Sequence, residues 1–84
     1  MDEMEILEIL KGNRALTTME FEELWNEAKG YHSGYNTILE RNDTEIMADD
    51  FRYDHGEGED TMIVFYHKGN IVAFVRLKNI KMVY

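Results

Sequence analysis

The sequence contains no cysteine and no proline, and a single serine. Without cysteine the chain can build neither a disulfide framework nor a thiolate zinc site. Secreted domains of this size usually rely on such staples, so a reducing, cytoplasmic setting is expected. Nucleophilic catalysis has little to work with. Ser33 stands beside His32, but a triad needs spatial approach and orientation, which sequence adjacency does not supply. The glycines form no phosphate-cradling or dinucleotide-binding fingerprint. Gly56-Glu57-Gly58 lacks a third glycine and a strand–helix context. Asp49 and Asp50 could share acid–base work, yet a chain of 84 residues offers little room for a deep tuning pocket. No enzyme, catalytic residue or cofactor is expected.

Long hydrophobic runs are missing too. No stretch approaches the roughly 20 apolar residues of a membrane-spanning helix. The opening MDEMEILEILKG is acidic and has no basic n-region, so it does not read as a secretory leader. Neither membrane insertion nor membrane association is expected.

Acid is absent from the last 24 positions. Residues 61–84 carry Lys68, Arg76, Lys78 and Lys81 and no carboxylate, whereas residues 1–60 carry all 17 Asp and Glu against five cations, a local balance of −12 in a chain of net −8. Such a field repels phosphate, which argues against direct nucleic-acid binding and for a basic protein partner. Trp25 and the five tyrosines could stack on bases, but Trp25 falls on a helical apolar stripe and the cations a base platform needs are scarce.

What is present reads as one α+β domain covering residues 1–84. The apolar share of 44% suits a globular chain. Residues 2–11 read as a short helix, with Asp2 and Glu5 at capping-box spacing, Met4, Ile6, Leu7, Ile9 and Leu10 as a broad stripe, and Gly12 as the stop. Thr17 and Glu20 repeat that spacing for a second helix. Leu16 and Phe21 form a hydrophobic staple, Phe21, Leu24, Trp25 and Ala28 make one apolar face, and Gly30 is the expected stop. Residues 31–43 read either as a helical continuation through Tyr31, Tyr35 and Ile38 or as a strand over 35–41 turning at Asn42-Asp43. Two nearby glycines favour the strand.

After Thr44 the period shortens towards two. Ile46, Ala48, Phe51 and Tyr53 share a face only if Asp49-Asp50 bulges. Residues 61–67 and 70–77 are β-branched and aromatic runs joined at Lys68-Gly69-Asn70, a tight hairpin signal. Ile80, Met82 and Tyr84 alternate as a last strand or as an extension of the preceding one. The expected architecture places two N-terminal helices on one face of a three- or four-stranded, mostly antiparallel sheet formed by residues 35–84. Met62 to Tyr66 and Ile71 to Val75 are apolar without a break, so both faces of those strands are apolar. Two short helices cover one face. The other, with Val64, Tyr66, Val72 and Phe74, is left for a second chain or for a folded-over segment of this one.

The densest charge cluster is DDFRYDHGEGED at 49–60, where Asp49, Asp50, Asp54, Glu57, Glu59 and Asp60 surround His55. Three readings stand open: a solvated hairpin tip, a hard-cation site, and a phosphate-mimicking surface for a protein's nucleic-acid groove. The EF-hand pattern fails, because counting from Asp50 puts Arg52 third and His55 sixth. His32, His55 and His67 lack the spacing of a helical metal pair. No metal is expected.

In size and charge the chain resembles short acidic proteins of bacteria and phages, among them antitoxins and inhibitors of host nucleases. No residue pattern carries that likeness, so no functional residue follows from it. The leading expectation is a non-enzymatic protein-binding module that presents Asp49, Asp50, Asp54, Glu57, Glu59 and Asp60 with Glu20, Glu23 and Glu27 of the second helix to a basic partner. It could act as a phage-type, anti-CRISPR-like inhibitor that occludes a nucleic-acid site. The alternatives are a homo-oligomer built through the outer sheet face, with a structural or regulatory role, and a metal-dependent enzyme using the 49–60 carboxylates.

Overall fold

A computed structural model describes residues 1–28 and 34–84. The expectations placed on Gly30, Tyr31, His32 and Ser33 lie outside the described residues. Helix α1 spans Glu3–Leu10 and helix α2 spans Thr18–Ala28. Six strands follow: β1 Asn36–Glu40, β2 Glu45–Ala48, β3 Asp50–Tyr53, β4 Met62–His67, β5 Asn70–Arg76 and β6 Ile80–Val83. No helix among the described residues is long and apolar enough to cross a membrane.

Local chemistry sets the helix boundaries. The Asp2 carboxylate accepts the Glu5 N–H at 2.9 Å, capping α1. At α2 the capping box closes in both directions: the Glu20 N–H donates to the Thr17 hydroxyl and the Thr17 N–H donates to the Glu20 carboxylate. Leu16 and Phe21, on either side of that cap, are both buried.

The α+β class and the packing of helices on sheet hold. The strands divide, however, into two antiparallel three-stranded sheets, ordered β2-β1-β6 and β3-β4-β5. The division occurs at the Asp49-Asp50 pair, where a bulge is expected from the sequence. There the chain passes from one sheet to the other with no intervening loop: Ala48 pairs with Asn36 of β1, and Asp50 pairs with Tyr66 of β4. Strands that switch sheets at a bend form the corners of such sandwiches. A short 3-10 turn over Leu77–Asn79 makes the second crossing, from β5 to β6.

Both sheets turn their apolar sides inward on one core containing Ile38, Ala48, Ile63, Phe65, Val75 and Val83, closed by Ile9 of α1 and by Phe21, Leu24 and Trp25 of α2. At its centre Phe21 stands edge-on to Phe51 at 4.9 Å, and Trp25 is 4.8 Å from the same ring. Such aromatic pairs add stability beyond their buried area.

Arg41, just after β1, ties three remote segments together. Its Nε donates to the Lys78 carbonyl, one Nη to the Ile9 carbonyl and the other to the Arg14 carbonyl, all within 2.9–3.0 Å. The end of α1, the link to α2 and the second sheet crossing therefore share one side chain.

The outer face of β3-β4-β5 corrects part of the sequence reading. Val72 and Phe74 are exposed as expected, and so is Ile71, but Val64 is buried and Tyr66 half-buried. The register explains this. Val64 lies between Arg52 and Phe74, two long side chains, and the Arg52 guanidinium sits over the Tyr66 ring at 5.7 Å.

Candidate binding surface

The 49–60 acidic cluster of the sequence is not one site in space. Strand β3 runs through it, so Asp49 and Asp54 stand about 16 Å apart at the strand's two ends. Asp49 sits at the sheet crossing. Its carboxylate accepts the Lys68 N–H at 2.8 Å and lies 3.9 Å from His67. It fastens the β4–β5 hairpin, whose Lys68 and Gly69 both adopt positive φ as a tight two-residue turn requires. Asp50 accepts the N–H of Phe51 at 2.8 Å.

The other end of the cluster forms the β3–β4 connection, with a 3-10 turn over Gly58–Asp60. Residues 54–60 are all exposed. Asp54 pairs with His55 at 3.2 Å. Asp60 pairs with Lys78 at 2.9 Å, and that ammonium holds its carboxyl below the usual carboxylate range. Among the described residues, Glu57 and Glu59 show no ion pair.

Tyr53 joins this turn to α2. Its hydroxyl donates to the Thr18 carbonyl across 3.4 Å. Burial, then the nearby Glu22 carboxylate, pushes the phenol up to about 12. Beside this contact a shallow open groove runs between residues 14–18 and the Gly58–Glu59 turn. The exposed Glu59 thus adjoins the start of α2, whose N-terminal half also exposes Glu22 and Glu23.

The acids of α2 differ in what they can offer. Glu20 is occupied. Arg14 reaches both of its oxygens at 2.7 Å, and with the Thr17 N–H this lowers its carboxyl to about 2. Glu23 lies 3.8 Å from the N-terminal amine and stays more than half exposed. Glu27 is exposed at the last turn. Sequence reasoning singled out Glu20, Glu23 and Glu27 on this helix; Glu22, beside the Tyr53 hydroxyl, was not among them. The capping-box spacing already indicated that Glu20 would be turned back onto its own helix. Nothing local could have placed Tyr53 against residue 18.

Reactive constellations are sparse. Among the described residues no three His, Cys, Asp or Glu side chains gather as a metal site would need. His55 and His67 each stand near a single carboxylate. No family model, curated protein or solved structure matches the chain.

Proposed function

We propose that this chain is a non-enzymatic protein-binding module whose acidic surface, formed by the 54–60 turn and the N-terminal half of α2, receives a basic partner. The observation that carries the reading is the groove in which Gly58 and Glu59 of the acidic turn lie against Thr17 and Thr18 at the start of an acidic helix. Two charge runs about 30 residues apart in sequence thereby become one face. Glu57 and Glu59 within it form no ion pair among the described residues, so their carboxylates are available for steering and docking. A partner of matching chemistry presents clustered Lys and Arg, as a protein's nucleic-acid groove does. Occlusion of such a groove, in the manner of a phage-type inhibitor, is the specific form we favour.

The test is affinity capture from the source cell's lysate with the wild-type chain and with an E57Q/E59Q variant. The expected result is a basic partner bound at least tenfold more weakly by the variant, released by salt and displaced by nucleic acid. A partner whose affinity is indifferent to both neutralisation and salt would overturn the proposal.

A further inference from the structure

A different surface of the fold is also exposed and apolar. Strand register defines the outer face of β3-β4-β5 as three rows: Asp50, Tyr66 and Ile71; Arg52, Val64 and Phe74; and Asp54, Met62 and Arg76. Asp54 continues the register just beyond β3, its N–H donating to the Met62 carbonyl. The opposite face of these strands carries Phe51, Ile63, Phe65 and Val75, which enter the core. The outer rows hold an apolar centre in which Phe74 is 58% and Ile71 51% exposed. No described segment of the chain folds over them.

The charges around that centre cancel. Two aspartates lie along the β3 side, with Arg52 between them and Arg76 on the β5 side. In a chain of net −8, this balanced patch allows two copies to approach without like-charge repulsion across the contact. We propose that it is the interface of a symmetric homodimer.

The charge pattern also selects the arrangement. Pairing β5 with β5 of a second copy, edge to edge and antiparallel, would bring Lys68 towards Lys78 of the other chain. The cations at both ends of this strand thus guard the edge against its own kind. Stacking the faces about a two-fold axis perpendicular to the strands would set Arg52 against Arg52 and Asp50 against Asp54. Stacking them about an axis parallel to β4 brings the β3 side over the β5 side. Asp54 then meets Arg76, Arg52 meets the ring of Phe74, and Asp50 lies over Ile71. Arg76 already donates from one Nη to the Asp60 carbonyl, which fixes its position while leaving other N–H groups for a carboxylate. Aligned stacking of this kind is one of the two standard sheet packings. A face three strands by three rows covers only on the order of 300 Å² per copy, below the usual size of specific interfaces, so the dimer is weak and concentration-dependent.

Sedimentation equilibrium up to roughly 1 mM, where weak interfaces populate, tests the assignment on the purified full chain with no other protein present. This readout is independent of any basic partner. We expect a monomer–dimer equilibrium, weakened at least tenfold by Phe74→Ser, by Asp54→Arg and by Arg76→Asp separately. The D54R/R76D double variant should recover wild-type association to within about threefold. All three positions are at least partly exposed, and circular dichroism verifies that each variant folds. A wild-type chain that stays monomeric overturns the dimer. A dimer that tolerates Phe74→Ser, or a double variant no better than its singles, overturns the face or the axis.

Discussion

Arg14 holds the Glu20 carboxylate through two N–H···O bonds of 2.7 Å, one to each oxygen. That carboxylate also accepts the Thr17 N–H at the start of α2. A bidentate, charge-assisted pair joined to a capping box is stronger than an exposed ion pair alone. We expect Glu20→Gln to cost about 1–2 kcal/mol at neutral pH. The pH dependence has a definite sign. The folded-state value is depressed from 4.5 to about 2, so the stabilisation is fully present above 4.5 and is lost as pH falls towards 2. Urea titrations of wild type and E20Q should show a stability gap that closes over that interval.

Arg41 donates to the carbonyls of Ile9, Arg14 and Lys78. Lysine can point its ammonium at only one of these, and the spacing of the three needs the planar fork. Arg41→Lys should therefore destabilise by about 1–3 kcal/mol, since it leaves part-buried carbonyls without their donor. Thermal unfolding measures the loss. A change no larger than that of an exposed lysine substitution such as Lys11→Arg would remove Arg41 from this role.

How much of this could be read beforehand depends on the range over which each feature is determined. Asp2, Thr17 and Glu20 act within one helical turn, so the caps and both helices were legible. Lys68-Gly69 specifies its hairpin through positive φ at two neighbouring residues, so β4 and β5 were legible too. The two-sheet division was only half visible. The broken alternation at Asp49-Asp50 marked an irregularity, but whether it kinks one sheet or opens a corner depends on what β1 and β4 pair with, dozens of residues away. The burial of Val64 required the β3 and β5 registers. The acidic cluster was misleading as a unit because sequence proximity along a strand becomes distance: β3 extends through it and separates Asp49 from Glu57.

Gly56 and Gly58 both have positive φ in the acidic turn, yet their surroundings differ. A Cβ at Gly56 would run into the Asp60 carbonyl oxygen, whereas at Gly58 it would meet open space. Gly58→Ala should cost only the left-handed backbone penalty, about 1 kcal/mol. Gly56→Ala must in addition displace the 3-10 turn, for a total of about 2–3 kcal/mol. Denaturant midpoints of the two variants should differ in that order. Equal midpoints would show that the turn relaxes freely.

Phe21 is fully buried and meets the rings of Trp25, Phe51 and Phe65. Truncating it to alanine opens a ring-sized cavity between helix and sheets, at a cost of about 3–5 kcal/mol. In a chain of 84 residues that is most of the available stability. We expect Phe21→Ala to lose its cooperative near-ultraviolet transition at 37 °C. Phe21→Leu, which keeps most of the volume, should fold with a lowered Tm.

Glu57 and Glu59 separate a stabilising role from a binding role. Each is exposed on the 54–60 turn and shows no ion pair among the described residues, in contrast to Asp60 with Lys78 and Glu20 with Arg14. If these carboxylates served the fold, removing their charge would lower Tm. The contacts say otherwise: E57Q/E59Q removes repulsion within an acidic face and breaks no pair, so Tm should stay within about 2 °C of wild type or rise slightly. The same variant should weaken capture of a basic partner, because the lost charge lies where the field is uncompensated. Scanning calorimetry and binding on one protein preparation decide the matter. A Tm drop comparable to that of E20Q would make the turn acids structural, and unchanged Tm with unchanged binding would move the docking surface elsewhere.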